Sequence, residues 1–225
     1  MSFWKRWFAA KETPQAGGAG SRPAGSTPAP NPLPLSIHRA AQTADVEAVK
    51  ELLGNGVDVN SRDASGKTSL HLAAESGNHG VAELLLAMGA DVNAKDNSQG
   101  PGYLAGSTAL HRAASKGREE VARLLLAHKA DVNARDNNGA VPLHYTAFEG
   151  HESVAKLLVA AGADVNAQAN NGDTPSASAS RVRQEAVEKA ISLGRSRGGS
   201  ASVAIPQTPR HDAVLQFLRQ HGGHE

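Results

Sequence analysis

Apolar positions in this chain come in short helical stripes broken by small and polar residues. In VAELLLAMGA, Val81, Leu84 and Leu85 are spaced i, i+3 and i+4, which predicts a helix burying one face and ending at Gly89. Upstream, TSLHLAAESGN predicts another helix, with Thr68 as N-cap and Gly77 as its stop. Ala73 and Ala74 are small enough to let that helix sit close to a neighbour. Between such pairs lie DASG at 63 to 66 and DNNG at 136 to 139, turn sequences that reach positive φ cheaply.

The pattern repeats. SIHRAA, TSLHLAA, TALHRAA and VPLHYTA place His38, His71, His111 and His144 at spacings of 33, 40 and 33. VDVN at 57 to 60 and ADVN at 90, 130 and 163 keep the same beat. So do the apolar runs AELLLAMGA, ARLLLAHKA and AKLLVAAGA. The long interval is one period with seven extra residues in NSQGPGYLAGS, between Asp96 and Thr108. A period of this length marks a stack of units, none of which can bury its own apolar face.

The phrases T-P-L-H-x-A-A, G-H-x-x-V and L-L-L-x-x-G-A-D-V-N resemble those of the ankyrin repeat family. The resemblance covers residues 35 to 168, with a decayed unit after it. It implies an all-α solenoid, a stack of helix–turn–helix units joined by β-turn or hairpin loops. It also implies a protein-binding role with no catalytic site in the repeats. Four histidines in four units cannot converge on one metal. A structural role is expected for His38, His71, His111 and His144, together with Thr68 and Thr108. The family implies a hydrogen bond from each ring to nearby turn backbone.

Four domains are expected. Residues 1–34 form a disordered segment with a short aromatic and basic start; Pro, Gly, Ala and Ser dominate 9 to 34. Residues 35–193 hold four clear units, to 168, and a decayed fifth, 169–193. A loop follows at 194–209, then a capping helix and tail at 210–225. The fifth unit loses Leu-His to Ser176 and Ala177, and two segments compete for its second helix. QEAVEKAISLG keeps register, with Val187 lying 33 residues after Val154, whereas HDAVLQFLRQHGG looks more like a closing repeat helix. The preferred arrangement makes 174 to 193 helical and 211 to 221 the final helix, buried through Val214, Phe217 and Leu218. The alternative loops out 181 to 197.

Composition narrows the function classes. Aromatic residues are 4% of the chain, so helices built on Ala and Leu suit it better than a sandwich or barrel. There is no cysteine, which excludes disulfides and thiolate metal sites and fits a cytoplasmic setting. Net charge is +3 over residues 1 to 34, −4 over 35 to 168 and +2 over 169 to 225. The mildly acidic centre argues against nucleic-acid binding. No stretch of 18 apolar residues occurs. G-x-S-x-G, P-loop and H-E-x-x-H patterns are absent, so no catalytic, cofactor or metal residue is assigned. His221 and His224 in HGGHE read as an exposed tail.

The expected function is non-catalytic recognition of a protein partner by a monomer, through turn tips and inner helices. Tyr103, Leu104, Arg112, Lys116, Tyr145, Phe148 and Glu149 are the expected contacts, with Tyr103, Arg112, Tyr145 and Phe148 as anchors. For Tyr145 the competing reading is packing between units. Phe3, Trp4, Trp7 and Phe8, beside Lys5 and Arg6, suit a weak membrane-surface contact or a segment docking in a partner's groove. The alternative function is therefore a membrane-tethered regulator.

Overall fold

A computed structural model describes residues 36–97, 103–196 and 208–224. The aromatic start at Phe3, Trp4, Trp7 and Phe8, the segment 9 to 34 and most of the 194–209 loop lie outside the described residues.

The described chain is helical, with one isolated bridge between Arg62 and Thr68. Unit one comprises α1 (Ile37–Gln42) and α2 (Val46–Gly54). Unit two has α3 (Ser69–Ser76) and α4 (His79–Ala87). Unit three has α5 (Ala109–Ser115) and α6 (Glu119–Ala127). Unit four has α7 (Pro142–Glu149) and α8 (Glu152–Ala160). The last pair is α9 (Pro175–Ser196) and α10 (Pro209–Gln220). Helices α1, α3, α5, α7 and α9 pack side by side as an inner layer, and α2, α4, α6, α8 and α10 as an outer one. This is an all-α solenoid.

The core explains the pattern. Ala73, Ala74, Ala113 and Ala114 are fully buried, where only small side chains let neighbouring inner helices approach. The outer helices bury Val81 and Leu85, Val121 and Leu125, then Val154 and Leu158. Thr68 and Thr108 stand at the N-caps of α3 and α5. Gly77 ends α3 in the left-handed region at φ +84.

Asparagines of the D-V-N phrases stitch one unit to the next. Asn60 Oδ1 accepts the Asp91 N–H at 2.8 Å, Asn93 Oδ1 that of Asp131 at 2.8 Å, and Asn133 Oδ1 that of Asp164 at 2.9 Å. Asn166 Oδ1 then accepts the His224 N–H at 3.1 Å.

That last bond identifies the outer helix of unit five. It spans 58 residues where the equivalent bond one unit earlier spans 31, a difference of 27. His211 Nε2 lies 2.9 Å from the Phe148 carbonyl across 63 residues, and His151 Nε2 meets the Ser115 carbonyl across 36, again a difference of 27. So α10 takes the outer position against α8, and 27 residues intervene within the unit. QEAVEKAISLG, the candidate that kept register, instead prolongs the inner helix to Ser196, past the expected end at 193. The apolar stripe decides between them: Val214, Leu215 and Leu218 are buried, with Phe217 only partly so. The tail is exposed at His221 and His224, as expected, and is held through its backbone, since Thr174 Oγ1 donates to the His224 carbonyl at 2.8 Å.

Candidate functional site

His71, His111 and His144 share one local geometry that bridges units, and His38 shares its inter-unit bond. In His71, Nδ1 faces the Thr68 N–H at 3.2 Å and Nε2 lies 3.0 Å from the Ser107 carbonyl of the next unit. His111 repeats this with Thr108 at 3.2 Å and Ala140 at 3.1 Å. His144 does so with Val141 at 3.2 Å and Asp173 at 2.9 Å. His38 Nε2 meets the Ser61 carbonyl at 2.9 Å. A carbonyl can only accept, so Nε2 carries the proton and Nδ1 offers its lone pair to the cap. Burial pushes His71 and His111 down to about 4 and lowers His144 as well, which keeps the rings neutral. Among the described residues, no group of three or more His, Cys, Asp or Glu is placed to hold a metal ion.

The inserted segment in unit three sets the character of the inner surface. Asp96 N–H bonds the Ser107 carbonyl at 2.9 Å, closing the turn as Asp136 does with Ala140 in unit four at 3.0 Å. Gly106 N–H and Ser107 Oγ both donate to the Asp96 carboxylate, at 2.8 and 3.1 Å. Arg112 locks the same carboxylate through Nη2 at 2.6 Å, and also donates to Ser107 Oγ and the Leu104 carbonyl. Its Nη1 lies 3.4 Å from Glu75 of unit two, which Lys67 also approaches at 3.1 Å.

Tyr103 then folds back over α5 and α7. Its hydroxyl donates to Glu149 Oε1 at 2.7 Å and lies 2.9 Å from Ser115 Oγ. Its ring meets Tyr145 edge-on, with centroids 5.3 Å apart, and Phe148 at 6.4 Å. Tyr145 in turn donates to Asp136 Oδ2. Burial raises the phenols of Tyr103 and Tyr145, and the carboxylates of Glu149 and Asp136 respectively add to the shift.

These contacts correct the expected exposure of four residues. Tyr145, Phe148, Leu104 and Arg112 are 0%, 4%, 2% and 6% exposed. A side chain so covered is out of a partner's reach without rearrangement. Tyr103 and Glu149 are partly exposed and Lys116 is exposed. Arg39, Gln42 and Thr43 of unit one are also open to solvent, at the end of the inner layer away from the insertion. Sequence reasoning passed over the roles of Asp96, Ser107 and Asp136, polar groups that hold this arrangement. One signal was present: Arg112 and Tyr145 occupy the same place in successive units, and each claims the turn aspartate of its own unit.

No curated protein matches the chain. The family model described as ankyrin repeats (3 copies) matches residues 34–96 and 97–169, more than half of the chain. The chain belongs to the ankyrin repeat family.

Proposed function

We propose that this protein is a non-catalytic adaptor or scaffold that recognises a protein partner through its inner helices and turn tips. Ankyrin repeats are generally protein–protein interaction modules. The observation that supports a contact on this side is the division of the inner layer. Its centre is filled with aromatic rings and a buried ion pair, whereas Arg39, Gln42, Thr43 and Lys116 remain exposed around it. A satisfied, largely buried centre with a polar margin suits recognition of a partner rather than chemistry. A monomer in a cytoplasmic setting fits a chain without cysteine.

Tyr103, Lys116 and Glu149 are the contacts we assign to the partner. Leu104, Arg112, Tyr145 and Phe148 hold that surface in shape while no partner is bound. The histidines and the caps Thr68 and Thr108 hold the units in register. An Arg39→Glu/Lys116→Glu double variant tests this, because both side chains are exposed and neither ion-pairs among the described residues. Loss of a stoichiometric partner in affinity capture, at unchanged melting temperature and circular dichroism, is the expected result. Retention of the same partner moves the contact off the inner layer.

A further inference from the structure

The phenol of Tyr103 fills a pocket that belongs to the repeat stack, while Tyr103 itself does not. The pocket's polar end is made by Ser115, the last residue of α5, and Glu149, the last of α7. Its apolar walls are Tyr145 and Phe148 on α7. Tyr103 comes from the seven-residue insertion. The match is chemically complete. The single phenolic hydrogen goes to the Glu149 carboxylate at 2.7 Å, and the Ser115 hydroxyl, 2.9 Å away, donates to the phenolic oxygen. An edge-to-face ring contact at 5.3 Å and 75° adds the preferred aromatic geometry.

The occupant is held at a local cost. Leu104, directly after Tyr103, has φ +62, a left-handed conformation that a leucine rarely adopts. Releasing Tyr103 would free this backbone. We infer that Tyr103 is an internal stand-in, and that the pocket of Ser115, Tyr145, Phe148 and Glu149 receives a tyrosine side chain of a protein partner in exchange for it. This deepens the recognition reading and rests on it.

The test uses the full chain and small phenols. Tyr103→Ala should bind p-cresol, read by calorimetry, at least about tenfold more tightly than it binds toluene, because toluene leaves Glu149 and Ser115 without their partner. Wild type and Tyr103→Phe, with the ring in place, should bind p-cresol at least about tenfold more weakly than Tyr103→Ala. A folded Tyr103→Ala that takes up neither compound, or both equally, overturns the pocket. Exchange is tested on the wild type, which also serves if the alanine variant does not fold. N-acetyl-tyrosinamide should speed amide hydrogen exchange at Gly106, whose N–H is tied to Asp96, and N-acetyl-phenylalaninamide should not. Equal exchange with both overturns the stand-in role. These readouts concern the pocket alone, so they can fail while the Arg39→Glu/Lys116→Glu variant still loses its partner.

Discussion

Arg112 of α5 reaches back across its own unit to Asp96, with Nη2 2.6 Å from Oδ2, and the two side chains are 8% and 0% exposed. A charge pair buried this far is stable only while both members stay. Removing one leaves the other buried without its main counter-charge, which costs about 3–5 kcal/mol in comparable cases. Asp96→Ala should therefore destabilise the protein by about 3–5 kcal/mol in urea titration. It also frees Gly106 N–H and Ser107 Oγ, so the inserted segment loses its internal anchor. Arg112→Met should cost less, because Asp96 keeps those two donors. Equal losses for the two variants would show that the carboxylate's other bonds contribute little.

The buried histidines make stability depend on pH in a defined direction. His71 and His111 sit at about 4 in the fold against an ordinary 6.5. Between these values the unfolded chain binds protons that the folded chain refuses. Their contribution is thus complete above pH 6.5 and is lost as pH falls from there toward 4. Melting temperature should fall from pH 7 to pH 5, before most carboxylates titrate. His111→Gln should be less stable at neutral pH yet show a shallower fall. A slope identical to wild type would remove His111 as a contributor.

The repeat was legible because each recurrent residue makes the same bond in every unit. His71, His111 and His144 all bridge to the following unit, and Asn60, Asn93 and Asn133 all close on the aspartate N–H of the following unit. A bond repeated at one register leaves one spacing in the sequence. The insertion was visible as a change in that spacing, but its path was not. Tyr145 and Arg112 have the residue types of interface anchors, and nothing local says that a segment preceding them will fold over and use them. In the fifth unit the preferred helices at 174 to 193 and 211 to 221 correspond to α9 and α10, although the period pointed elsewhere. Val187 kept the period, but a 27-residue excursion ignores it, and α10 wins by burying Val214, Leu215 and Leu218. The closing phrase HGGH was the available signal, because Gly222 and His224 stand where other units carry the glycine and aspartate of G-A-D.

Ser69 offers a stabilising change. It is the first residue of α3, is fully buried, and its hydroxyl has no hydrogen-bond partner. Pro142 and Pro175 hold the equivalent first position of α7 and α9. Thr68, at φ −84 and ψ 166, already has the extended backbone that a following proline requires. The first helical N–H has no intrahelical acceptor to lose. Ser69→Pro should raise stability by about 0.4–1 kcal/mol, by restricting the unfolded chain. A melting temperature below wild type would mean that the pyrrolidine ring does not fit between units two and three.

Lys129 marks a unit that departs from its siblings at some cost. Gly56, Gly89 and Gly162 end the outer helices of units one, two and four at φ +85, +85 and +90. Lys129 holds the same place in unit three at φ +66, where an L side chain crowds its own carbonyl. Its side chain is exposed, and its backbone bonds, to Leu126 and from Asn93, do not depend on residue type. Relief of the left-handed conformation is worth about 1–2 kcal/mol, and the extra freedom of glycine in the unfolded chain takes back about 0.5–1. Lys129→Gly should therefore gain about 0.5–1 kcal/mol, a rise of about 1–4 °C for a chain of this length. Lys129→Ala separates the two effects, since it removes the charge and keeps the strain. If alanine stabilises as much as glycine, the lysine's charge and not its backbone is the unfavourable element.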